Sequence, residues 1–101
     1  MQIFDLHIHD FLDDVTPKAF LSQLAEAGIY GAGVFSPPPE MLRLKGLPYE
    51  ERINRVLSFC EAYPGRLFPV LWIHAHEDGI LEKAADAAAR GISAFKIICN
   101  N

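Results

Sequence analysis

Apolar residues follow two spacings that alternate along the chain. Four short stretches are apolar at every second position or throughout, which is typical of β-strands. Three longer stretches between them repeat apolar residues every three or four positions and predict amphipathic helices. The predicted order is therefore βαβαβαβ. The predicted strands cover residues 3–9, 29–35, 67–73 and 93–99, and the predicted helices cover residues 17–27, 48–62 and 79–90.

Local signals mark where these elements begin and end. Thr16 is suited to cap the first helix, because its hydroxyl can accept from a free N–H, and Pro17 fits the first helical position. Gly28 and Gly91 follow the first and third helices and are predicted to end them. The second strand must end at residues 36–39, where three consecutive prolines leave no N–H for a ladder.

Strands that alternate with helical crossovers form parallel sheets with right-handed connections. Two kinds of sheet fit this order, an open doubly wound sheet or the start of a closed (β/α)₈ barrel. A complete barrel needs about 250 residues, whereas the chain has 101. We predict an α/β fold that is the first half of a (β/α)₈ TIM barrel, with four parallel strands and three helices. Residues 1–101 would then be the truncated N-terminal part of a single barrel domain.

Composition and charge narrow the class of partner. Lys and Arg total 9 and Asp and Glu total 13, for a net charge of −4, and the basic residues are scattered. We therefore expect no nucleic acid and no membrane surface as a partner. Because Asp5, His7 and His9 interrupt the segment where a signal peptide would be apolar, we expect a soluble, cytoplasmic protein. Cys60 and Cys99 lie in apolar surroundings and are predicted to be buried free thiols.

Two histidines on the first predicted strand provide the main candidate chemistry. Asp5, His7 and His9 alternate with apolar residues, so a regular strand places them on one face. Positions two apart on a strand are separated by about 6.6 Å, and two imidazoles on one face can converge on a metal ion at about 2.0–2.1 Å. Asp10 adds a carboxylate directly after the pair. The alternative is an ordinary strand end with one hydrogen-bonded and one solvated histidine.

The segment IFDLHIHD resembles the opening strand of the amidohydrolase superfamily, most closely the amidohydrolase-related branch of TIM-barrel hydrolases and decarboxylases. The segments AEAGIYGAGVFSP, YPGRLFPVLWIHAHED and AARGISAFKII resemble that family's next three strands in layout, but only the HxH is a specific motif. The resemblance implies that His7 and His9 bind a divalent metal, usually Zn²⁺. It also implies that further ligands on strands five and six, and a catalytic Asp on strand eight, lie beyond this chain, which alone is expected to be inactive.

Two further residues are candidate catalytic groups. His74 and His76 follow the third strand, and four histidines together could form a closed tetrahedral site. The family does not usually take ligands from this position, so we assign His74 a substrate-facing or supporting role, with plain loop histidines as the alternative. Lys96 lies on a fourth-strand face. Some family members carry a CO₂-modified lysine on that strand, but we do not assign the modification to Lys96, and a lysine that reaches solvent is the alternative.

The expected function is hydrolysis of a C–N or C–O bond in a small carbonyl substrate by metal-activated water, or a related decarboxylation. One alternative is a PHP-type metal phosphoesterase, which also opens with HxH. That family usually ends its second strand with a TDH-like motif, whereas this chain has VFSPPP. Another alternative is a non-catalytic half-barrel that acts as an interaction module. Because a half-barrel has two open strand edges, we expect a homo-oligomer.

Overall fold

A computed structural model describes residues 4–8, 16–39 and 47–98, with residues 4–8 described by their backbone alone. Strands and helices alternate along the chain. The α/β class and the parallel pairing of the strands are confirmed. The elements are β1 (Phe4–Ile8), α1 (Pro17–Glu26), β2 (Gly31–Phe35), α2 (Tyr49–Glu61), β3 (Leu67–His74), α3 (Ile80–Ala89) and β4 (Ala94–Ile98).

The strands lie side by side in the order β1-β2-β3-β4, so each strand pairs with its neighbours in the chain. The β2–β3 and β3–β4 ladders are regular. Between β1 and β2 the register shifts, because Asp5 is paired with Ala32 and Ile8 with Val34. Three steps along β1 thus correspond to two steps along β2. The strict alternation predicted for the first strand therefore does not carry through its pairing.

The predicted helix boundaries agree closely with those observed, and hydrogen bonds explain why. The Thr16 hydroxyl accepts from the Ala19 N–H at 3.1 Å, and Pro17 is the first helical residue. Gly28 follows α1 at φ 78°, and the next residue, Ile29, donates its N–H to Leu24 O at 2.8 Å. This pairing belongs to a Schellman motif at the helix end. Ile29 is therefore part of the helix cap, and β2 begins at Gly31 rather than at the predicted residue 29.

One face of the sheet packs against all three helices. The core cluster takes Ala32 and Val34 from β2 and Leu71 and Ile73 from β3, with Phe95 of β4 packed against it. These residues share a face because they are in register or two residues apart. The helices contribute Phe20, Leu21, Leu24, Ile53, Val56, Phe59, Cys60 and Ala87.

The opposite face of the sheet receives none of these helical side chains. It carries Phe35, Val70, Trp72, His74 and Lys96, which alternate along their strands with the residues of the core cluster. We call this surface the open face. Among the described helices, none has the length and apolarity required to cross a membrane.

Candidate functional site

The carboxyl ends of the parallel strands meet at one edge of the sheet, and the candidate residues are distributed along it. His7 lies in β1, one residue before the end of that strand, and its backbone alone is described. His9 lies outside the described residues, so the geometry of the predicted HxH pair stays a prediction. His74 is the last residue of β3, and Lys96 lies two residues before the end of β4. The fold thus brings His74 and Lys96 to the same face and edge.

Ser36 holds the end of β2 against β3. Its side chain is fully buried, its hydroxyl accepts the Trp72 N–H at 2.9 Å, and it donates to the Pro37 carbonyl at 3.0 Å. Its own N–H donates to Val70 O at 2.9 Å, which extends the ladder beyond β2. The hydroxyl thus both donates and accepts a hydrogen bond in anchoring the proline-rich loop, so the role of Ser36 is structural.

The ammonium group of Lys96 lies over two aromatic rings of the open face. Its Nζ is 4.2 Å from the centroid of the Trp72 ring and 5.2 Å from that of Phe35. Lys96 and Trp72 are paired across β3 and β4, so the contact follows directly from the register. Such cation–π contacts hold the ammonium group over the two rings. Lys96 therefore presents a fixed positive charge on the open face.

His74 is held in a turn that follows β3. The Glu77 N–H donates to the His74 carbonyl at 3.1 Å, and the His74 N–H donates to Glu77 Oε2 at 2.8 Å. The His76 N–H donates to His74 Nδ1 at 3.1 Å. His74 is 6% exposed, whereas His76 is exposed to solvent. The two histidines thus have different surroundings, and the substrate-facing or supporting role assigned to His74 stays a prediction.

Glu77 joins the turn to the helices. Its Oε1 accepts from Arg52 Nη2 at 2.6 Å and lies 3.7 Å from Lys83 Nζ. The side chains of Arg52 and Glu77 are 1% and 7% exposed. A buried carboxylate needs a charged partner and hydrogen bonds to offset its lost hydration. Glu77 has both, because the Arg52 guanidinium and the His74 N–H share its two oxygens.

Sequence reasoning missed Arg52, the most deeply buried charged residue in the described ranges. Its Nη1 donates to Leu47 O at 2.8 Å, while its Nε is a buried donor with no acceptor. One signal was present, because Arg52 precedes Val56 by four residues and so lies on the apolar stripe of α2. A charged residue on a core-facing stripe indicates a buried ion pair, but the sequence does not identify the partner.

A cleft of about 490 Å³ opens beside this ion pair, between the start of α2 and the turn after β3. Arg52 and Glu77 form part of its wall, and Tyr49, His76 and Lys83 also line it. The positive charges of Arg52 and Lys83 are matched by the carboxylates of Glu77 and of a second lining residue, Asp78. Among the described lining residues, the positive and negative charges therefore balance, and they select neither an anion nor a cation.

Two shifted pKa values report on the packing of α2 against α3. Burial, followed by the hydrogen bond to Asp86, raises the pKa of Tyr49 to about 12. The 2.6 Å hydrogen bond from the Tyr49 hydroxyl, and then the hydrogen bond from Arg90, lower the pKa of Asp86 below its usual value.

Burial raises the pKa of the Cys60 thiol to about 12. The free, buried thiol predicted for Cys60 is confirmed, whereas Cys99 lies outside the described residues.

Within residues 16–39 and 47–97, whose side chains the structure describes, no three His, Cys, Asp or Glu side chains form a group that could hold a metal ion. Comparison with protein-family models, with curated proteins and with solved structures finds no match.

Proposed function

We propose that this chain contributes part of the active site of a metal-dependent hydrolase of the amidohydrolase type, on a sheet that is the first half of a (β/α)₈ barrel. In this proposal His7 and His9 bind a divalent metal, with Zn²⁺ as the first choice. The metal would activate a water molecule for attack on a C–N or C–O bond, or support a related decarboxylation. The observation that carries the proposal is the consecutively ordered parallel sheet, with helices on one face and with His7, the first histidine of the HxH sequence, in its first strand.

The strand order supports a barrel over the open sheet that the sequence equally allows. A doubly wound sheet reverses its strand order at a switch point and covers both faces with helices. Here the order is β1-β2-β3-β4, and the helices share a core with one face. A (β/α)₈ barrel has the same arrangement, with helices outside and strands in chain order. The open face then corresponds to the barrel interior.

If the sheet is part of a barrel, strand stagger places Lys96 at the same level along the barrel axis as Ile8, the middle residue of the HxH motif. Lys96 pairs with Trp72, which is two residues beyond Val70, the partner of Phe35. Phe35 is in turn one residue beyond Val34, the partner of Ile8. Extending these registers straight across the sheet therefore sets Lys96 three residues further along the strand direction than Ile8. Barrel strands tilt by about 36°, so each step of about 4.8 Å between strands lowers the next strand by about 3 Å along the axis. Three steps lower Lys96 by about three residues, back to the level of Ile8.

The same geometry places His74 higher than Lys96. Along β3, His74 lies two residues beyond Trp72, the partner of Lys96. Two residues of strand correspond to about 6.6 Å, so His74 stands above the level of the HxH motif, at the rim where substrates enter a barrel. This level fits contact with a substrate better than contact with the metal. Lys96, at the level of the motif, would place its ammonium beside the metal-bound substrate.

Zinc binding by single-histidine variants tests the proposal. Isothermal titration of the chain with Zn²⁺ is expected to show binding that His7→Ala or His9→Ala weakens at least tenfold, whereas His76→Ala binds as the wild type does. His76 is the matched control because it is an exposed histidine at the same edge. Circular dichroism confirms that each variant is folded, and His7→Gln and His9→Gln replace any alanine variant that is not. Equal zinc affinity in the His7 and His9 variants and the wild type would overturn the proposal.

A further inference from the structure

We propose that His74 is a hydrogen-bond donor fixed in its Nε2–H tautomer, and that Glu77 is the residue that positions it. The role of this donor toward a substrate rests on the proposed function, whereas the tautomer itself does not.

The tautomer follows from the turn after β3. In a neutral imidazole one nitrogen carries the proton and the other accepts. His74 Nδ1 accepts the His76 N–H at 3.1 Å, so the ring proton is on Nε2. The donor is a backbone amide, which cannot reverse its role. The turn therefore selects one tautomer, and the Nε2–H points away from it on the other side of the ring.

This arrangement disfavours His74 as a metal ligand at either nitrogen. A neutral histidine binds a metal through a nitrogen with a free lone pair. The Nδ1 lone pair is directed at the His76 N–H, and Nε2 carries the proton. Ligating histidines have the opposite pattern, in which the nitrogen away from the metal donates to a carboxylate or carbonyl. His74 instead offers one N–H to an acceptor.

Glu77 positions the ring by closing the turn from both ends. Its N–H donates to the His74 carbonyl, and its carboxylate accepts the His74 N–H. The carboxylate is itself fixed by the buried guanidinium of Arg52 at 2.6 Å. With both ends tied, residues 74–77 hold the His76 N–H against the ring. Releasing the Glu77 carboxylate loosens this geometry and lets the second tautomer form.

The natural acceptor is an oxygen of a small carbonyl or carboxylate compound. His74 and Lys96 lie on neighbouring strands, and their backbones are about 8 Å apart by strand geometry. Among the open-face residues Phe35, Val70, Trp72, His74 and Lys96, the donors are the Trp72 indole N–H, the His74 ring N–H and the Lys96 ammonium, and none of the five carries a carboxylate. Two donors at this spacing can hold separate oxygens of one substrate. The surrounding aromatic rings contribute an apolar wall.

Nitrogen NMR of the ring tests the inference directly. In ¹⁵N-labelled wild-type protein, long-range ¹H–¹⁵N spectra at a pH where His74 is neutral are expected to show a protonated Nε2 and an unprotonated Nδ1. His76→Ala keeps the backbone N–H and is expected to keep the same tautomer. Glu77→Ala is expected to give a mixture of tautomers, and Glu77→Gln, which retains a side-chain oxygen to accept the His74 N–H, is expected to restore the wild-type pattern largely.

A protonated Nδ1 in the wild-type ring would overturn the tautomer assignment, and an unchanged spectrum in folded Glu77→Ala would overturn the role of Glu77. If that variant does not fold, Glu77→Asp, whose shorter side chain withdraws the carboxylate, takes its place with the same expected mixture. Addition of Zn²⁺ separates this inference from the proposed function. Zinc-induced chemical-shift changes at the His7 ring nitrogens, with none at those of His74, would support both the metal site and the donor role of His74. Shifts at the His74 nitrogens refute the donor role, whereas no zinc response anywhere refutes the metal site and leaves the tautomer result standing.

Discussion

Replacing Arg52 with methionine tests the central ion pair of this fold. The substitution keeps an unbranched side chain of similar length but removes the hydrogen bonds to Glu77 Oε1 at 2.6 Å and to Leu47 O at 2.8 Å. The Glu77 carboxylate remains at 7% exposure. It would keep the His74 N–H and the more distant ammonium of Lys83 at 3.7 Å. The buried negative charge then lacks its principal partner.

The expected loss of stability in Arg52→Met combines the cost of the broken ion pair with the gain from removing an unsatisfied donor. Removing one partner of a buried ion pair costs about 3–5 kcal/mol. Two features reduce the cost here, because Lys83 still faces Glu77 and because the variant no longer buries the unsatisfied Arg52 Nε. We therefore expect a loss of about 3 kcal/mol, near the lower limit of that range. For a total stability of about 5–15 kcal/mol, this is a large fraction.

Urea unfolding followed by far-ultraviolet circular dichroism and by the fluorescence of Trp72 measures the loss. With a slope of about 1–3 kcal/mol per molar urea, the midpoint is expected to fall by about 1–3 M without a change in slope. The double variant Arg52→Met, Glu77→Gln removes the buried charge as well, so its stability is expected to lie closer to the wild type than that of Arg52→Met alone. If Arg52→Met does not fold, Arg52→Lys retains the charge and is expected to show a smaller loss.

Arg90→Met is the control for the loss of an arginine. Arg90 binds Glu50 and Asp86, whose side chains are 66% and 51% exposed. Ion pairs between solvated groups contribute little to stability, so this variant is expected to lose much less than Arg52→Met. A stability of Arg52→Met within about 1 kcal/mol of the wild type would refute the argument that the buried pair holds the turn. The same conclusion would follow if Arg90→Met were the more destabilised of the two.

Three further predictions concern α2, α3 and the turn that follows α3. Because the pKa of Tyr49 rises from 10.0 to about 12 on folding, its contribution to stability is complete below pH 10.0 and declines as the pH rises through 12. Tyr49→Phe should reduce that decline in the free energy of unfolding, measured by denaturant titration. The same variant should raise the pKa of Asp86, measured by carboxyl NMR. Burial raises the pKa of Cys60 to about 12, so a thiol reagent near neutral pH should label it only through unfolding, and rapid labelling of the folded protein would contradict this. Gly91 has φ 109°, and a Cβ at this position would lie 3.9 Å from Leu57 Cδ2, an ordinary van der Waals distance. Gly91→Ala should therefore lower the free energy of unfolding by about 1–3 kcal/mol through backbone strain alone. A urea midpoint equal to that of the wild type would show that the strain is absent.

The turn after β3 links stability to the candidate chemistry. Arg52 and Glu77 are separated by 25 residues in the chain, and their contact joins α2 to the residue that ends β3. The same carboxylate that satisfies the buried guanidinium also fixes the backbone of His74. A change at Arg52, which does not touch His74, is therefore expected to reach its ring through Glu77.

The chain's own pattern determined the elements, because helix and strand periods and their end signals act over a few residues. Thr16 and Pro17 start α1 as predicted, and Gly28 and Gly91 end α1 and α3 through hydrogen bonds with residues nearby in the chain. The alternation of strands and helices also predicted the parallel pairing. His74 and Lys96 could be placed at one sheet edge from the sequence, since parallel strands share the direction of their carboxyl ends.

Tertiary packing decided the features that join distant residues. The consecutive strand order and the packing of the helices on one face are features that the pattern of elements along the chain leaves open. The register shift in β1 depends on pairing with β2, which no alternation within β1 reports. The contact between Arg52 and Glu77 likewise exists only once α2 and the turn after β3 are packed. Local periodicity specifies which face of a helix is apolar, but a buried charge finds its partner through the three-dimensional arrangement of elements far apart in the chain.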